Sequence, residues 1–404
     1  MRRMSIMAVL KPQDEHYTTA QDICTHLGDE YAQFMGAIVP PIFQNSLFVK
    51  PTPKNGVPDS GFVYSRVSNP TMDIAERKIA ALEGAEAAAV FSSGMGAISA
   101  AIMHFVKKDC HIVAPHTIYG PTRTFITKYL AEKFGVTHTF VHGVDPEEFR
   151  NAIRPETTLI YLESPSSLTL YMQDIEEVAK IAKEHGIGTV IDNTYATPLH
   201  QNPYKYGIDL ICHTASKYMG GHSDIIAGVV AGSKENIEQI ACNERELMGA
   251  CMDPHQAWLL IRGLRTMPVR VKAHGESGLK VAKWLEQHPC VKQVFYPGLD
   301  SHPQKELVDK YLKGKTNGLL AFTFDGTAAQ ATEFVYSLKM FQFGVSWGGF
   351  ESLCVMPTVG MSEEEAASLD VPTNLIRLHV GLEDVDTLIA DLEQAFEASK
   401  KITE

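Results

Sequence analysis

The pattern of apolar and polar positions changes character twice along the chain. Residues 1–63 show weak periodicity and many turn formers, among them Pro40, Pro51 and Gly56, which predicts an arm with one short helix near Thr19–Leu27. A regular pattern begins near position 71, and its style changes again after about position 265. We therefore expect an N-terminal arm over 1–63, an α/β domain over 64–264 and an α+β domain over 265–404.

The middle region alternates short apolar runs with amphipathic stretches. A predicted helix over Met72–Leu82 precedes a strand over Ala87–Phe91, a glycine turn and a second helix from Met95. Strands that alternate with helices favour an α/β fold with a mostly parallel sheet covered on both faces. The further predicted strands are His111–Ala114, Thr137–Val141, Thr158–Glu163, Thr189–Asp192, Asp209–His213 and Ile226–Ala231.

The C-terminal region has fewer and more widely spaced elements, which is typical of a smaller α+β unit. A long helix over Val269–Gln287 is expected to start after Pro268, since proline is favoured in the first helical turn. The other expected elements are strands at Val291–Tyr296, Leu319–Phe324 and Leu375–Val380 and a final helix at Val385–Ser399.

Composition and charge exclude several classes of protein. Of the 404 residues 45% are apolar and 21% charged, as in an ordinary globular protein, and the net charge of −12 argues against nucleic-acid binding. No apolar run approaches the length of a membrane helix. The seven cysteines are scattered without CxxC spacing, which predicts reduced thiols and a cytoplasmic location. The sixteen histidines form no spacing typical of a metal site, so we expect none.

One lysine has unusual flanks. Lys217 lies just after a predicted strand, between the hydroxyls of Thr214 and Ser216 and the pair Gly220 and Gly221. A surface lysine is the ordinary interpretation of such a residue. A lysine beside hydroxyls that can bind phosphate is also what a covalent bond to pyridoxal 5'-phosphate requires.

Three further motifs have both a structural and a functional interpretation. Asp192, at the end of an apolar strand, either caps the following loop or pairs with a protonated pyridine nitrogen. The turn at Gly94 and Met95 is either a plain strand-to-helix connection or an anion site built from backbone N–H groups. Arg377, inside an apolar strand, is either an edge residue or a buried fork for a carboxylate, and the apolar flanks favour the fork.

Together these segments resemble the trans-sulfuration (Cys/Met metabolism) family of pyridoxal phosphate enzymes over essentially the whole chain. No single motif is specific, but the combination is. It implies an aspartate-aminotransferase-like fold (pyridoxal phosphate fold type I) in which two subunits build each active site, usually in a homotetramer. The motifs are Tyr64-Ser-Arg66 with Asn69-Pro-Thr71, Ser92-Ser-Gly-Met-Gly96, Ile191-Asp-Asn-Thr194, Ser216-Lys-Tyr218 with Gly221-His-Ser-Asp224, and Arg377-Leu-His379.

The resemblance also implies roles for individual residues. Lys217 would carry the cofactor and act as the base, with Asp192 at the ring nitrogen and Tyr119 stacked on the ring. The backbone of Gly94 and Met95 and the hydroxyls of Thr214 and Ser216 would bind phosphate. Tyr64 and Arg66 would reach the phosphate from a neighbouring subunit, and Tyr64 joins Lys217 and Tyr119 in the expected catalytic set. Arg377 would hold the α-carboxylate of an amino-acid substrate, helped by Ser346, in a pocket that includes Trp347 and Ser167.

The motifs divide on the reaction. Trp347 after Ser346, Pro121 after Tyr119, and Ser167 where most of the family has asparagine all resemble cystathionine β-lyases. The segment from Tyr64 to Thr71 is instead closer to the γ-acting enzymes. We therefore expect β-elimination of cystathionine or a related thioether to a thiol, pyruvate and ammonia. The alternatives are γ-elimination (of methionine, cystathionine or another γ-substituted amino acid) to 2-oxobutyrate, and γ-replacement on an activated homoserine ester. An aminotransferase would share the fold.

Overall fold

A computed structural model describes residues 11–358 and 371–402 of the chain, and it confirms the α/β class. Seven strands form the larger sheet, in the order β1-β7-β6-β5-β4-β2-β3. The five strands from β2 to β6 run parallel, and β7 is antiparallel to both β6 and β1. Their bounds are β1 Ala87–Phe91, β2 His111–Pro115, β3 Thr137–Val141, β4 Thr157–Glu163, β5 Gly188–Asp192, β6 Leu210–His213 and β7 Gly228–Gly232.

Both faces of this sheet are covered, as the apolar strands predicted. Along β5, Val190 and Ile191 point into two different hydrophobic clusters. Ile79 of helix α2 (Pro70–Glu83) belongs to the cluster on one face, and Ile98 of helix α3 (Gly94–Phe105) to the cluster on the other. The strand ends therefore provide the edge at which polar side chains can gather.

The remaining helices connect these strands and flank the second sheet. Their bounds are α1 Ala20–His26, α4 Gly120–Thr124, α5 Ala131–Phe134, α6 Pro146–Ala152, α7 Ile175–His185, α8 Thr197–His200, α9 Lys234–Ile240, α10 Glu246–Met248, α11 Pro254–Glu286, α12 Lys305–Leu307, α13 Ala328–Ser337 and α14 Val385–Ser399. Short 3₁₀ segments lie at Pro12–His16 and Pro203–Tyr206, and π-helical segments at Phe125–Leu130, Ala241–Arg245 and Val308–Leu312.

The smaller sheet has five strands in the order β10-β11-β12-β9-β8, antiparallel except for β10 and β11. Helices α13 and α14 cover one of its faces, where Phe334 and Phe396 pack on Phe322 of β9. The strand bounds are β8 Val291–Phe295, β9 Leu319–Phe324, β10 Gln342–Phe343, β11 Leu353–Val355 and β12 Leu375–His379.

The long helix α11 starts fifteen residues before the expected position (254 rather than 269), so the prediction that it begins after Pro268 is wrong. Asp253 begins the helix because its carboxylate accepts the His255 N–H at 2.8 Å, and Pro254 takes the first helical position. Pro268 lies inside the helix. The domain boundary expected between positions 264 and 265 falls inside α11, and it stays a prediction.

Other sequence expectations concern features of the whole chain. All seven cysteines are free thiols. Within residues 11–358 and 371–402, no helix has the length and apolar character needed to cross a bilayer. Over the same ranges, no group of three or more His, Cys, Asp or Glu side chains is arranged to hold a metal ion. The first ten residues of the expected N-terminal arm lie outside the described residues.

Candidate active site

A cavity of about 670 Å³ lies at the carboxyl ends of the parallel strands, where ligands bind in open α/β sheets. Its floor comes from the larger sheet, and a loop over 345–351 with Arg377 of β12 closes it from the smaller one. The predicted residues that line it are Gly94, Met95, Tyr119, Ser167, Asp192, Thr214, Ser216, Lys217, Ser346, Trp347 and Arg377.

Lys217 enters this cavity from a tight turn after β6. Its N–H donates to the Thr214 carbonyl at 3.1 Å, and its own carbonyl accepts the Gly221 N–H at 2.7 Å. The Nζ donates to Ser346 Oγ at 2.7 Å and lies 5.5 Å from the centre of the Trp347 ring. Burial, with the nearby Arg377 charge, lowers the pKa of Lys217 to about 8. The amine is therefore neutral in a substantial fraction of molecules near pH 8.

Asp192 ends β5 and is buried in the cavity floor. Its Oδ1 accepts the Thr194 N–H at 2.9 Å and also the Thr194 hydroxyl. The loop-capping interpretation is thus correct, but it occupies one oxygen only, since Oδ2 accepts no hydrogen bond from the described part of the chain. Burial raises the pKa of Asp192 against these hydrogen bonds. A cationic group beside Oδ2 would stabilise the carboxylate.

The other end of the cavity offers donors for an anion. Helix α3 is capped by the Ser93 hydroxyl, which accepts the Gly96 N–H at 3.0 Å, and neither Gly94 N–H nor Met95 N–H has an acceptor among the described residues. A Cβ placed on Gly94 would lie 2.3 Å from Thr214 Oγ1, so only glycine permits this approach. Two unpaired N–H groups and the hydroxyls of Thr214 and Ser216 fit a phosphate.

Tyr119 and Arg377 both line the cavity. Tyr119 donates its N–H to Glu163 Oε2 at 2.7 Å, while its ring lines the cavity. Arg377 donates to the carbonyls of Val345 at 2.7 Å and Ser167 at 3.5 Å. Burial lowers the pKa of Arg377 to about 10, so it remains a cation at pH 7 to 8. Within the described ranges no carboxylate lies within 4 Å of its guanidinium, so its charge has no direct partner and its remaining N–H groups can bind the carboxylate of a ligand.

Trp347 has two roles at once. It is 8% exposed and packs on Tyr218 with ring centres 5.5 Å apart, which is the ordinary role of a core aromatic. It also lines the cavity beside Lys217. The loop that carries it approaches so closely because Gly348 has a φ of +83° and lies against the Tyr218 and Lys217 backbone.

Tyr64 and Arg66 lie outside the cavity of their own chain. Arg66 donates to the Glu246 carbonyl at 3.2 Å and lies 3.4 Å from its carboxylate. Its guanidinium stands 5.4 Å from the centre of the Tyr64 ring. Tyr64 is 40% exposed, so both side chains face outward from this chain.

Among the groups that line the cavity and were not predicted, three polar ones affect the charges and hydrogen bonds of the site. Glu163 ends β4 beside Asp192, and burial beside that carboxylate raises its pKa to about 8. Thr194 orients Asp192. Glu351, which also lines the cavity, accepts the Ser223 hydroxyl at 2.6 Å. The available signal for Glu163 was its position at the end of a predicted parallel strand, next to one that ends in a carboxylate.

The residues present fit pyridoxal phosphate. Lys217 can bond its aldehyde, Asp192 has a free oxygen for the ring nitrogen, and the groups around Gly94 can bind the phosphate. The Tyr119 ring provides an aromatic wall between these ends. Each type of donor that the cofactor requires lines the same cavity.

Comparisons with known proteins agree with this geometry. Residues 21–397 match the family described as Cys/Met metabolism PLP-dependent enzyme. The chain is 39% identical to the L-methionine gamma-lyase of Treponema denticola, over 90% of this chain and 93% of that protein. It is 37% identical to the cystathionine gamma-lyase of Sus scrofa, over 96% and 95% of the two chains.

The fold is shared as well. The crystal structure of metB from Corynebacterium glutamicum superposes with a TM-score of 0.89 at 35% identity and covers 95% of this chain and 99% of that one. This likeness confirms the expected pyridoxal phosphate fold type I. The chain therefore belongs to the Cys/Met metabolism family of pyridoxal phosphate-dependent enzymes, in which it is a lyase.

Proposed function

We propose that the protein cleaves the Cγ–S bond of a sulfur amino acid, methionine or cystathionine, and releases a thiol, 2-oxobutyrate and ammonia. The observation that carries this proposal is the likeness to enzymes named gamma-lyases over nine tenths of the chain. It favours the γ-elimination alternative over the β-elimination that the motifs around Trp347 suggested.

One structural observation still supports β-elimination. Trp347, Pro121 and Ser167, the three positions that resemble β-lyases, all line the cavity. They are therefore placed where they can affect the choice of reaction. Lys217, Asp192 and Arg377 serve either reaction, so the choice depends on the walls rather than on these three residues.

The walls of the cavity suit a thioether. Ile225, Ile226, Val345 and the Trp347 ring supply apolar surface around the Lys217 amine. A methylthio group or a thioether chain gains free energy when it leaves water for such a surface. The cation of Arg377, which lines the same cavity, can bind the carboxylate of an amino acid.

The proposed chemistry assigns one task to each residue. Arg377 binds the α-carboxylate and thereby fixes the Cα–H bond relative to Lys217. The neutral Lys217 amine takes the proton from Cα and then serves the proton transfers at Cβ that precede departure of the thiolate from Cγ. Asp192 holds its negative charge beside the ring nitrogen. The bound cofactor supplies an electron-accepting ring for the electron pair left at Cα.

We further propose that two subunits complete each site and that the protein works in the cytoplasm. Tyr64 and Arg66 point away from their own cavity and are exposed, which suits side chains that reach the phosphate of a neighbouring subunit. The seven free thiols suit a reducing compartment. Sedimentation of the holoenzyme tests the first proposal, and a monomer with full activity would contradict it.

Cystathionine is the most informative substrate because it has a C–S bond at the γ position of one half and at the β position of the other. Cleavage at Cγ yields cysteine and 2-oxobutyrate, whereas cleavage at Cβ yields homocysteine and pyruvate. We expect 2-oxobutyrate from cystathionine, and 2-oxobutyrate with methanethiol from methionine, measured by chromatography. Pyruvate with homocysteine, and no turnover of methionine, would overturn the proposal in favour of β-elimination.

A further inference from the structure

Glu163 and Ser167 form a hydrogen-bonded pair in the wall of the cavity that the proposed chemistry leaves unused. Glu163 Oε2 accepts the Tyr119 N–H at 2.7 Å, and its Oε1 accepts the Ser167 hydroxyl. The glutamate is 4% exposed, and both residues line the cavity. With the Ser167 hydroxyl as donor, both carboxylate oxygens act as acceptors, which is the arrangement that suits ionised Glu163.

The two donors differ in what they can do if Glu163 gains a proton. The Tyr119 N–H is part of the backbone and can only donate, so the proton must go to Oε1. There it meets the Ser167 hydroxyl, which can reverse its role and accept. Ser167 then has its own proton free to donate to a group in the cavity.

The surroundings of Glu163 allow it to gain or lose this proton near pH 8. Its register partner on β5 is the buried carboxylate of Asp192. Arg377 on β12 is close enough for its charge to interact with the charge of Glu163. The phenols of Tyr119 and Tyr161 are the other titratable groups that face it. Burial and Asp192 raise the pKa of Glu163 to about 8.

We propose that Glu163 is a positioning residue that sets the direction of the Ser167 hydroxyl: protonated Glu163 turns the Ser167 proton toward the anionic ring oxygen of bound pyridoxal phosphate, and ionised Glu163 turns it away. The proposal rests on the placement of the cofactor ring between Tyr119 and Asp192, and it does not depend on the choice between β- and γ-elimination. Cofactor binding is then linked to the uptake of one proton above pH 8.

The test compares cofactor affinity across pH in matched variants. Glu163→Gln is nearly isosteric, since its Oε1 can accept the Tyr119 N–H while its Nε2 donates to Ser167, so it imitates the protonated acid at every pH. Ser167→Ala removes the hydroxyl. Glu156→Gln, an exposed glutamate outside the cavity, is the control for loss of a negative charge. The dissociation constant of pyridoxal phosphate is measured by equilibrium dialysis from pH 6.5 to 9.5.

The readout is the ratio of the wild-type dissociation constant to that of Glu163→Gln, because titration of Lys217 affects both proteins. We expect this ratio to be flat below pH 8 and to rise above it by up to about tenfold per pH unit, the limit for one linked proton. Glu156→Gln should follow the wild type. A ratio that stays constant across the range would overturn the proposal.

A double variant separates this mechanism from a general effect of charge. In the Ser167→Ala background, Glu163→Gln should no longer alter the pH dependence, because the hydroxyl that transmits it is missing. If Glu163→Gln has the same effect with and without Ser167, Glu163 does not act through that hydroxyl and the proposal fails. The ratio of the wild-type dissociation constant to that of Ser167→Ala should also be flat below pH 8 and rise above it, which keeps the test available if Glu163→Gln folds poorly.

Discussion

The backbone of Gly348 lies directly against the backbone of Lys217. A Cβ at Gly348 would come within 2.7 Å of the Tyr218 nitrogen and 3.0 Å of Lys217 Cα. Gly348 also has a φ of +83°, which side chains with a Cβ rarely adopt. The loop that carries Ser346 and Trp347 is thereby fixed against the turn that carries Lys217, and the two sheets contribute to one cavity.

Gly348→Ala should therefore destabilise the protein by roughly 2 kcal/mol or more, the sum of the positive φ and the backbone collision. The free energy of unfolding in urea measures this loss. Gly249→Ala is a matched control, since Gly249 has a φ of +79° and nothing within 4 Å of its added Cβ. It should lose only about 1 kcal/mol. Equal losses at the two sites would show that the contact with Lys217 carries no cost.

The Lys217 amine should react with acylating and arylating reagents at lower pH than ordinary lysines. Because burial and Arg377 lower its pKa to about 8, labelling of the cofactor-free protein by trinitrobenzenesulfonate should have its midpoint near pH 8. Exposed Lys183, which lies outside the cavity, is the reference lysine labelled in the same samples. Peptide mapping of the labelled lysines gives the midpoint of each. In Arg377→Leu the midpoint of Lys217 should move up, because a repelling cation is gone.

Arg377→Ala should mainly weaken substrate binding. Loss of a charge-assisted hydrogen bond to a carboxylate is worth roughly 1.5–3 kcal/mol, which corresponds to a KM raised about 10- to 100-fold. The steady-state KM and kcat for methionine or cystathionine check this, with Arg262→Ala on the exposed face of α11 as the control. An unchanged KM would contradict the assignment of Arg377 to the α-carboxylate.

Asp192→Asn should lower kcat roughly 100-fold or more at saturating cofactor, since the amide keeps its acceptor for Thr194 but has no charge for the ring nitrogen. Thr194→Val retains the carboxylate but loses the hydroxyl that donates to Asp192 and accepts the Thr214 N–H at 2.8 Å. It should lower kcat less than about tenfold. Similar losses in the two variants would mean that the orientation of the loop, and not the charge of Asp192, is what matters.

Strand positions were predictable from the sequence because buried strands are continuous apolar runs. The bounds of β1, β3 and β9 agree with expectation to the residue, and those of β2, β4 to β8 and β12 agree within one or two residues. The short strands β10 and β11 were not predicted. The start of α11 could not be predicted in this way, since Pro268 and the pair Asp253-Pro254 both satisfy the preferences of a helix start. Local preference alone cannot choose between them.

The candidate site was likewise predictable from the sequence only in part. Lys217 and Asp192 follow strands of one sheet, so their meeting at its carboxyl edge follows from the βαβ pattern. The pairing of Glu163 with Asp192 depends on strand register, which no local motif encodes. The placement of Arg377 over the same cavity depends on how the smaller sheet packs on the larger one.

The proposed function depends most directly on a covalent link between Lys217 and pyridoxal phosphate. The measurement that tests it is borohydride reduction of the holoenzyme, followed by digestion and mass spectrometry. We predict that one peptide, the one that contains Lys217, carries the reduced cofactor, and that Lys217→Ala yields no labelled peptide and no turnover. Label on a different lysine, or a Lys217→Ala protein that retains both label and activity, would contradict the account.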